Sequence, residues 1–119
     1  QVQMGIRDSY SAMKAGMSNL TVSLAQTLAD DGICVNSISP GPVWSQSWEK
    51  EAKAQQTSGQ SFEQIKNDIM GQTSINIPLN RMGMPEDLTG LTLFLASEQS
   101  AWITATNFVI DGGLTRNPF

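Results

Sequence analysis

The sequence contains no histidine and only one cysteine, Cys34, among its 119 residues. Without histidine, His-based metal sites, Ser-His-Asp triads and Cys-His pairs are excluded. A single cysteine excludes an internal disulfide and fits a reducing compartment, so we expect a cytoplasmic location. No apolar run approaches the ~20 residues that span a bilayer. The first nine residues resemble neither a signal peptide nor a transit peptide.

Charged residues are also scarce, with 7 Lys+Arg against 11 Asp+Glu and a net charge of −4. This acidic balance argues against charge-driven binding of nucleic acid or of an anionic membrane. Wholesale disorder is excluded because the apolar fraction, with 10 glycines added, is close to the globular average. The length allows one small domain at most. The lack of an initiator Met indicates a chain that starts inside a longer gene product.

Several motifs that bind phosphates or metals are missing as well. The chain has no G-x-G-x-x-G, no Walker loop and no carboxylate cluster at metal-ligand spacing. We therefore expect no metal site.

The strongest periodic segment runs from about residue 9 to residue 31. Asp8 or Ser9 can cap its start, and Gly32 is placed to end it in the left-handed conformation. Apolar residues recur within it at three- and four-residue steps, the period of one helix face: Met13, Met17, Leu20, Leu24 and Leu28.

Two short β-rich segments are predicted to be strands. Residues 33–38 are bounded by glycine and proline and are expected to form a buried strand, with Cys34 an inert buried thiol inside it. The prolines and glycine at 40–42 are expected to stop further ladder pairing. Residues 106–110 form the second strand, closed by a tight turn at 111–113 to which we assign no chemistry.

The segment between the strands is predicted to be helical. Residues 44–72 are expected to hold two short helices broken near residues 57–59, the second with an apolar face. Pro85 suits the first turn of a further helix, where Glu86 and Asp87 are favourable at the positive end. Trp102 is expected to pack, whereas Trp44 and Trp48 either line a ligand pocket or pack.

A helix precedes each predicted strand, which indicates a parallel α/β sheet. Two strands cannot form such a sheet alone, because parallel strands are buried on both faces and need several neighbours. The chain is therefore expected to be the C-terminal part of a larger α/β domain, or to pair with something that supplies the missing strands.

Tyr10 and Lys14 are four residues apart at the start of the long helix and so share one helical face. A nearby ammonium favours the phenolate and lowers the pKa of a tyrosine, which can then exchange a proton with an alcohol or carbonyl oxygen. An ordinary solvated helix pair has the same spacing, and the spacing alone does not separate the two interpretations.

The junction after the first strand is the second candidate site. In open parallel sheets, ligands bind beyond the carboxyl ends of the strands. Gly41 permits close backbone approach, while free backbone groups near Val43 and the Ser45 hydroxyl could bond an amide or a phosphate. A plain strand-ending turn would use the same residue types.

Taken in order, these features resemble the C-terminal half of the short-chain dehydrogenase/reductase family. Five motifs match at the family's spacing. They are Tyr10–Gly16, Gly32–Val43, Arg81–Asp87, Phe94–Ser97 and Val109–Gly113. The resemblance implies a doubly wound Rossmann-type sheet whose N-terminal cofactor-binding half is absent from this chain. It makes residues 1–119 the C-terminal part of a single domain, with a variable substrate lid at about residues 44–77.

The resemblance also implies an oxidoreductase that uses NAD or NADP and a carbonyl or alcohol substrate. Tyr10 would be the general acid/base, and Lys14 would lower its pKa and bond the nicotinamide ribose. Pro40, Gly41 and Val43 would lie against the nicotinamide, and Ser45 would help hold the cofactor. The residues assigned to the substrate are Pro42, Trp44 and Trp48. Family members use the long helix and the final helix–strand unit to form dimers and tetramers, so a homo-oligomer is expected.

Some family features are missing. The catalytic Ser lies about a dozen residues before the Tyr in the family, and Ser9 is too close to replace it. Ala105 stands where a glycine is usual. We therefore expect the isolated chain to be inactive, and two alternatives stay open. One is a non-enzymatic truncated module that keeps only packing and oligomerisation surfaces; the other is a helical binding protein whose motif matches are accidental.

Overall fold

The computed structural model describes residues 2–56 and 59–115, with side chains from residue 13 onward. These residues form six α-helices and β-strands: α1 (Val2–Leu28), β1 (Ser37–Pro40), α2 (Gln46–Gln55), α3 (Phe62–Ser74), α4 (Glu86–Leu95) and β2 (Asn107–Ile110). β1 and β2 form a two-stranded sheet. They run parallel, since Ser37 N–H donates to the Thr106 carbonyl at 3.0 Å and Gly41 N–H donates to that of Ile110 at 2.8 Å. The predicted α/β class with a parallel sheet is confirmed.

The residues divide into two compact units. One contains the chain up to Ile38 together with Leu93–Phe108, and the other contains Ser39–Thr92 together with the chain from Val109 onward.

The long helix of the first unit ends as predicted and begins earlier than predicted. Gly32 has φ +71° and its N–H donates to the Ala29 carbonyl, the left-handed stop expected of it. Asp8 and Ser9 do not cap the start, because α1 already begins at Val2 and includes both residues. No proline interrupts the preceding residues, so the helix continues through them.

The apolar stripe of α1 lies open. Met13, Met17 and Leu20 are 72%, 66% and 55% exposed, while Ala25 is buried at 1%. The periodicity therefore identified a helical face that the described part of the first unit does not cover.

The predicted strand over residues 33–38 is wrong for its first four residues. One backbone bond to the partner segment remains there, from Ala105 N–H to the Val35 carbonyl at 2.8 Å. The Asn36 side chain supplies two further bonds: its Nδ2 donates to the Ile103 carbonyl at 2.8 Å, and its Oδ1 accepts from Thr106 N–H at 3.1 Å. Ala105, with φ +56°, turns the partner segment out of the extended conformation. A side-chain amide consequently spans a gap that two straight strands would have closed by backbone bonds.

In the second unit, α2 and α3 pack against each other, and the predicted break lies between them. Ser61 and Gln64 form a reciprocal capping box at the start of α3. Ala52 and Ile65 are buried in this unit. The rest of the predicted α3 face is half-buried: Phe62, Ile69 and Met70.

The second unit also contains the segment between α3 and α4 and the turn that follows β2. Ile77 and Met82 are buried at 2% and 1%. Helix α4 begins directly after Pro85, as predicted, and Asp87 lies in its first turn. The predicted tight turn after β2 is present, with Gly112 and Gly113 at φ +65° and +88°.

Candidate active site

The loop between β1 and α2 contains five of the predicted site residues, and a sixth, Pro40, is the last residue of β1. The prediction that its prolines stop ladder pairing is wrong, because Pro40 is the last residue of β1 and Gly41 N–H still bonds the Ile110 carbonyl. Alternate residues of a parallel strand bond the same neighbour, so the ladder to β2 does not need the N–H that Pro40 lacks.

Beyond Gly41, the loop forms an isolated parallel bridge between Val43 and Gly83. Gly83 N–H donates to the Pro42 carbonyl at 2.9 Å, and Trp44 N–H donates to the Gly83 carbonyl at 2.9 Å. These bonds use the backbone on either side of Val43. The N–H and C=O of Val43 itself therefore face away from Gly83, as a neighbouring donor and acceptor pair.

Two glycines let backbone segments approach this loop closely. A Cβ on Gly41 would lie 2.6 Å from the Cβ and 2.7 Å from the Cα of Asp111. A Cβ on Gly83 would lie 2.9 Å from the Cγ2 of Val43. Both positions require glycine for space rather than for backbone conformation, since neither has a positive φ.

Asp111 organises the turn that lies against Gly41. Its Oδ1 accepts from Gly113 N–H at 2.9 Å, and its Oδ2 accepts from the Thr115 N–H at 2.8 Å and hydroxyl at 2.7 Å. The Thr115 hydroxyl, followed by the Thr115 N–H, holds the pKa of this carboxyl below its ordinary value. The Asp111 side chain thus closes the turn by hydrogen bonds to its own backbone segment.

A pocket of about 150 Å³ lies beside the loop, entirely within the second unit. Its wall is mainly apolar, with the charged Arg81 and Asp87 among its other residues. The apolar side chains that line it are Pro42, Val43, Leu79, Leu88 and Ile110.

Arg81 and Asp87 form a bidentate ion pair at this pocket. The Arg81 Nη1 and Nη2 lie 2.6 and 2.7 Å from the two Asp87 carboxylate oxygens, and Met84 N–H donates to the same carboxylate at 2.8 Å. The Arg81 hydrogen bond and then that of Met84 hold the pKa of Asp87 well below its ordinary value. From the sequence, Asp87 was predicted only to lie at the start of a helix. Its ion pair with Arg81 was not predicted, because no local pattern indicates that two residues six apart, with Pro85 between them, will meet.

We expect Asp87→Asn to lower the urea midpoint of the chain at pH 7. A carboxyl with a depressed pKa stabilises the fold above its unfolded pKa of ~3.9, and this contribution is lost as the pH falls through the lower folded value. The difference in urea midpoint between wild type and Asp87→Asn should therefore become smaller as the pH falls from about 4 to about 2. Added salt should also reduce it. Glu86→Gln, which removes the neighbouring first-turn charge, is the control. A difference that stays constant down to pH 2 would contradict the assignment.

Trp44, Ser45 and Trp48 lie at the junction of the loop with α2. Both indole side chains are half-buried, and Ser45 is exposed at the N-cap position, where its side chain does not cap α2. The Nζ of Lys66 on α3 lies 5.3 Å from the centroid of the Trp44 ring.

The other two predicted site residues lie on α1, in the first unit. Lys14 has an exposed side chain. The Tyr10 side chain lies outside the described residues, so its assigned role stays a prediction.

Two predictions about burial are wrong. Cys34 is exposed, lies outside β1, and makes a weak contact of 3.6 Å from Sγ to the Ala101 carbonyl. Trp102 is 100% exposed instead of packed. Burial depends on which residues lie against a side chain. Around Cys34, Asn36 side-chain bonds stand where an extended ladder was expected, and no described residue covers the Trp102 ring.

Residues 1–115 match the family model described as Enoyl-(Acyl carrier protein) reductase. The chain belongs to the short-chain dehydrogenase/reductase family. This confirms the resemblance drawn from the five motifs and makes the protein a member of an oxidoreductase family.

Named short-chain dehydrogenases and reductases are similar to the chain in sequence and in structure. L-2,3-butanediol dehydrogenase of Corynebacterium glutamicum is 37% identical over 113 residues, covering 94% of this chain and 42% of that protein. A short-chain type dehydrogenase/reductase from Mycobacterium marinum superposes with TM-score 0.72 at 39% identity, covering 91% of this chain and 37% of that one. An NADPH-bound short-chain oxidoreductase from Pseudomonas aeruginosa PAO1, with an atypical catalytic centre, superposes with TM-score 0.74 at 36% identity, covering 90% and 38%.

The chain spans less than half the length of the curated relatives compared with it, for example 32% of the oxidoreductase YhxD of Bacillus subtilis and 42% of the L-2,3-butanediol dehydrogenase. Within its described residues, no helix is both long and apolar enough to cross a membrane. The same residues contain no group of three or more His, Cys, Asp or Glu side chains that could hold a metal ion.

Proposed function

We propose that these 119 residues act as the C-terminal part of an NAD(P)-dependent oxidoreductase that interconverts a carbonyl and an alcohol. Family membership supports the reaction class, and the NADPH-bound relative supports the cofactor class. The proposal includes a single Rossmann-type domain completed by an N-terminal cofactor-binding half, with residues 44–77 as the substrate lid. It also includes inactivity of the chain without that half.

The observation that carries the proposal is the orientation of the Val43 backbone, whose N–H and C=O take no part in the bridge to Gly83. A nicotinamide carboxamide presents an NH2 donor group beside a C=O acceptor, which complement an adjacent acceptor and donor. The two backbone bonds of the bridge to Gly83 direct the N–H and C=O of Val43 away from Gly83. Pro40 and Gly41 would form the surface under the ring, and the exposed Ser45 hydroxyl would add a further hydrogen bond.

In the proposed mechanism, Tyr10 holds and transfers the proton. During carbonyl reduction, its hydroxyl donates the proton to the substrate oxygen, and during alcohol oxidation the phenolate accepts it back. Lys14, one helical turn away, stabilises the phenolate and would bond the ribose of the cofactor. A bound NAD(P) would supply the hydride donor or acceptor for the substrate carbon. Pro42, Trp44 and Trp48 would contact the substrate, and the apolar pocket beside Pro42 suits a small hydrocarbon group.

The test is a titration with NADH and with NADPH of the protein that contains this chain together with its cofactor-binding half. We expect binding of at least one of the two, and Gly83→Ala should weaken it about ten-fold by displacing Val43. Gly90→Ala is the matched control, since a Cβ at Gly90 meets nothing within 4 Å. NAD(P)H oxidation against a panel of ketones and aldehydes then checks the reaction class. Failure of the wild-type protein to bind either nucleotide would overturn the proposal.

A non-enzymatic assembly module is the second candidate, favoured by the open apolar stripe of α1. An exposed stripe of this kind is typical of a contact surface, and we propose a homo-oligomer in either case. The exposed thiol of Cys34 supports a reducing, cytoplasmic location. An oligomer that binds neither nucleotide would favour this candidate over the enzyme.

A further inference from the structure

One side chain of the helix pair reaches the loop that would hold the nicotinamide. Lys66, on α3, places its Nζ 5.3 Å from the centroid of the Trp44 ring. Both side chains are half-buried. This distance is within the range in which an ammonium is attracted to the face of an indole.

Trp44 is directly linked to the backbone pair of Val43. It is the next residue in the chain, and its own N–H is bonded to the Gly83 carbonyl at 2.9 Å. A shift of the Trp44 ring therefore acts on the same short bridge that orients the N–H and C=O of Val43. The loop is held by Gly83 on its backbone and by Lys66 on its side chain.

We propose that Lys66 is a positioning residue: by holding the Trp44 ring, it couples the α2–α3 helix pair to the orientation of the Val43 backbone. This inference rests on the proposed function, because the consequence of that orientation is tighter binding of the cofactor. A ligand that moves α3 would alter cofactor affinity through the same contact.

The chain offers a matched control in a second cation–π pair. The Nζ of Lys53 lies 5.8 Å from the centroid of the Phe62 ring, and this pair joins α2 to the start of α3. Neither residue is part of the loop. Lys53→Met therefore removes a cation–π contact from the same helix pair without touching Trp44, and it also removes the ion pair between Lys53 Nζ and Glu49 Oε1, 3.0 Å apart within α2.

The first measurement needs no catalytic activity. In a Trp48→Phe, Trp102→Phe background, Trp44 is the single tryptophan of this chain; any tryptophan in the joined half is replaced likewise. We expect Lys66→Met to raise the quenching of Trp44 emission by acrylamide, Lys66→Arg to restore wild-type quenching, and Lys53→Met to leave it unchanged. Arginine restores the contact because its guanidinium also stacks on an indole face.

The second measurement compares cofactor KM with kcat in the active protein with its native tryptophans. Lys66→Met should raise the KM for the preferred nicotinamide cofactor roughly two- to five-fold, the size expected of one cation–π contact. Its kcat should change by less than this. Lys66→Arg should return the KM to the wild-type value, and Lys53→Met should not alter it.

The outcomes separate this inference from the proposed function. Unchanged quenching and an unchanged KM in Lys66→Met, with wild type binding the cofactor, would overturn the role of Lys66 alone. An equal effect of Lys53→Met would overturn it too, because a general loosening of the helix pair would then be the cause. If the wild type binds neither nucleotide, the proposed function fails and the cofactor role of Lys66 fails with it.

Discussion

Tyr10→Phe is expected to lower kcat for carbonyl reduction by ~10²–10⁴-fold, the usual contribution of a positioned general acid or base. Phenylalanine keeps the ring and removes only the hydroxyl that would donate the proton. The KM values for cofactor and substrate should change little, because the proposed role belongs to the transition state and not to ground-state binding. The measurement is steady-state NAD(P)H oxidation by the protein that carries this chain joined to its cofactor-binding half.

The Lys14→Met variant tests the same proton transfer through its pH dependence. Removing the ammonium disfavours the phenolate and raises the pKa of the phenol, so the limb of the alcohol-oxidation pH profile that reports phenolate should move to higher pH. Ser9→Ala is the control, because Ser9 is too close to Tyr10 to be the family's catalytic Ser, and it should retain wild-type activity. Full activity of Tyr10→Phe would show that the assigned acid/base role is wrong.

Gly41→Ala is expected to destabilise the fold by ~1–3 kcal/mol, the cost of forcing extra volume into a packed site. Its Cβ would lie 2.7 Å from the Cα of Asp111, so backbone, not the end of a flexible side chain, would have to move. That movement would strain the hydrogen bond from Gly41 N–H to the Ile110 carbonyl, at 2.8 Å in the native sheet. Urea-unfolding midpoints at unchanged m-value measure the effect.

A glycine-to-alanine substitution inside a helix should instead stabilise the fold. Gly71 lies in α3, where an added Cβ meets nothing within 4 Å. Alanine is favoured over glycine in a helix interior by roughly 0.5–1 kcal/mol, so Gly71→Ala should raise the urea midpoint. A Gly41→Ala protein as stable as Gly71→Ala would show that Asp111 can move away at no cost, and the close approach would then not require glycine.

Local signals predicted the helices and several of their ends, although not the start of α1. Gly32 ends the long helix, Pro85 precedes α4, and the break near residues 57–59 separates α2 from α3. Each of these features depends on backbone freedom or on capping within a few residues, and neighbours in sequence are enough to determine it. The family motifs were recognised for a related reason, since their spacing along the chain is itself the signal.

Burial was predicted less well, because it depends on what lies against a residue. Cys34 and Trp102 are apolar in character and were expected inside, yet both are exposed. The apolar face of α1 has the helical period that was predicted, yet its side chains are exposed because no described element lies against them. Hydrophobic periodicity identifies a face, whereas the element that covers the face is a property of the assembled structure.

The sequence alone determined the parallel α/β class and the three helices after β1, since these follow from period and element order. The resemblance of its five motifs identified the family and the loop to which the cofactor residues are assigned. Only the tertiary structure decided that Val43 pairs with Gly83, that Arg81 meets Asp87, that Asp111 lies against Gly41 and that Lys66 covers Trp44. These contacts join residues from separate elements, and their geometry depends on how turns and close-packed backbones bring those elements together. The backbone of Val43 was a candidate from the sequence, but the direction of its N–H and C=O came from the bridge.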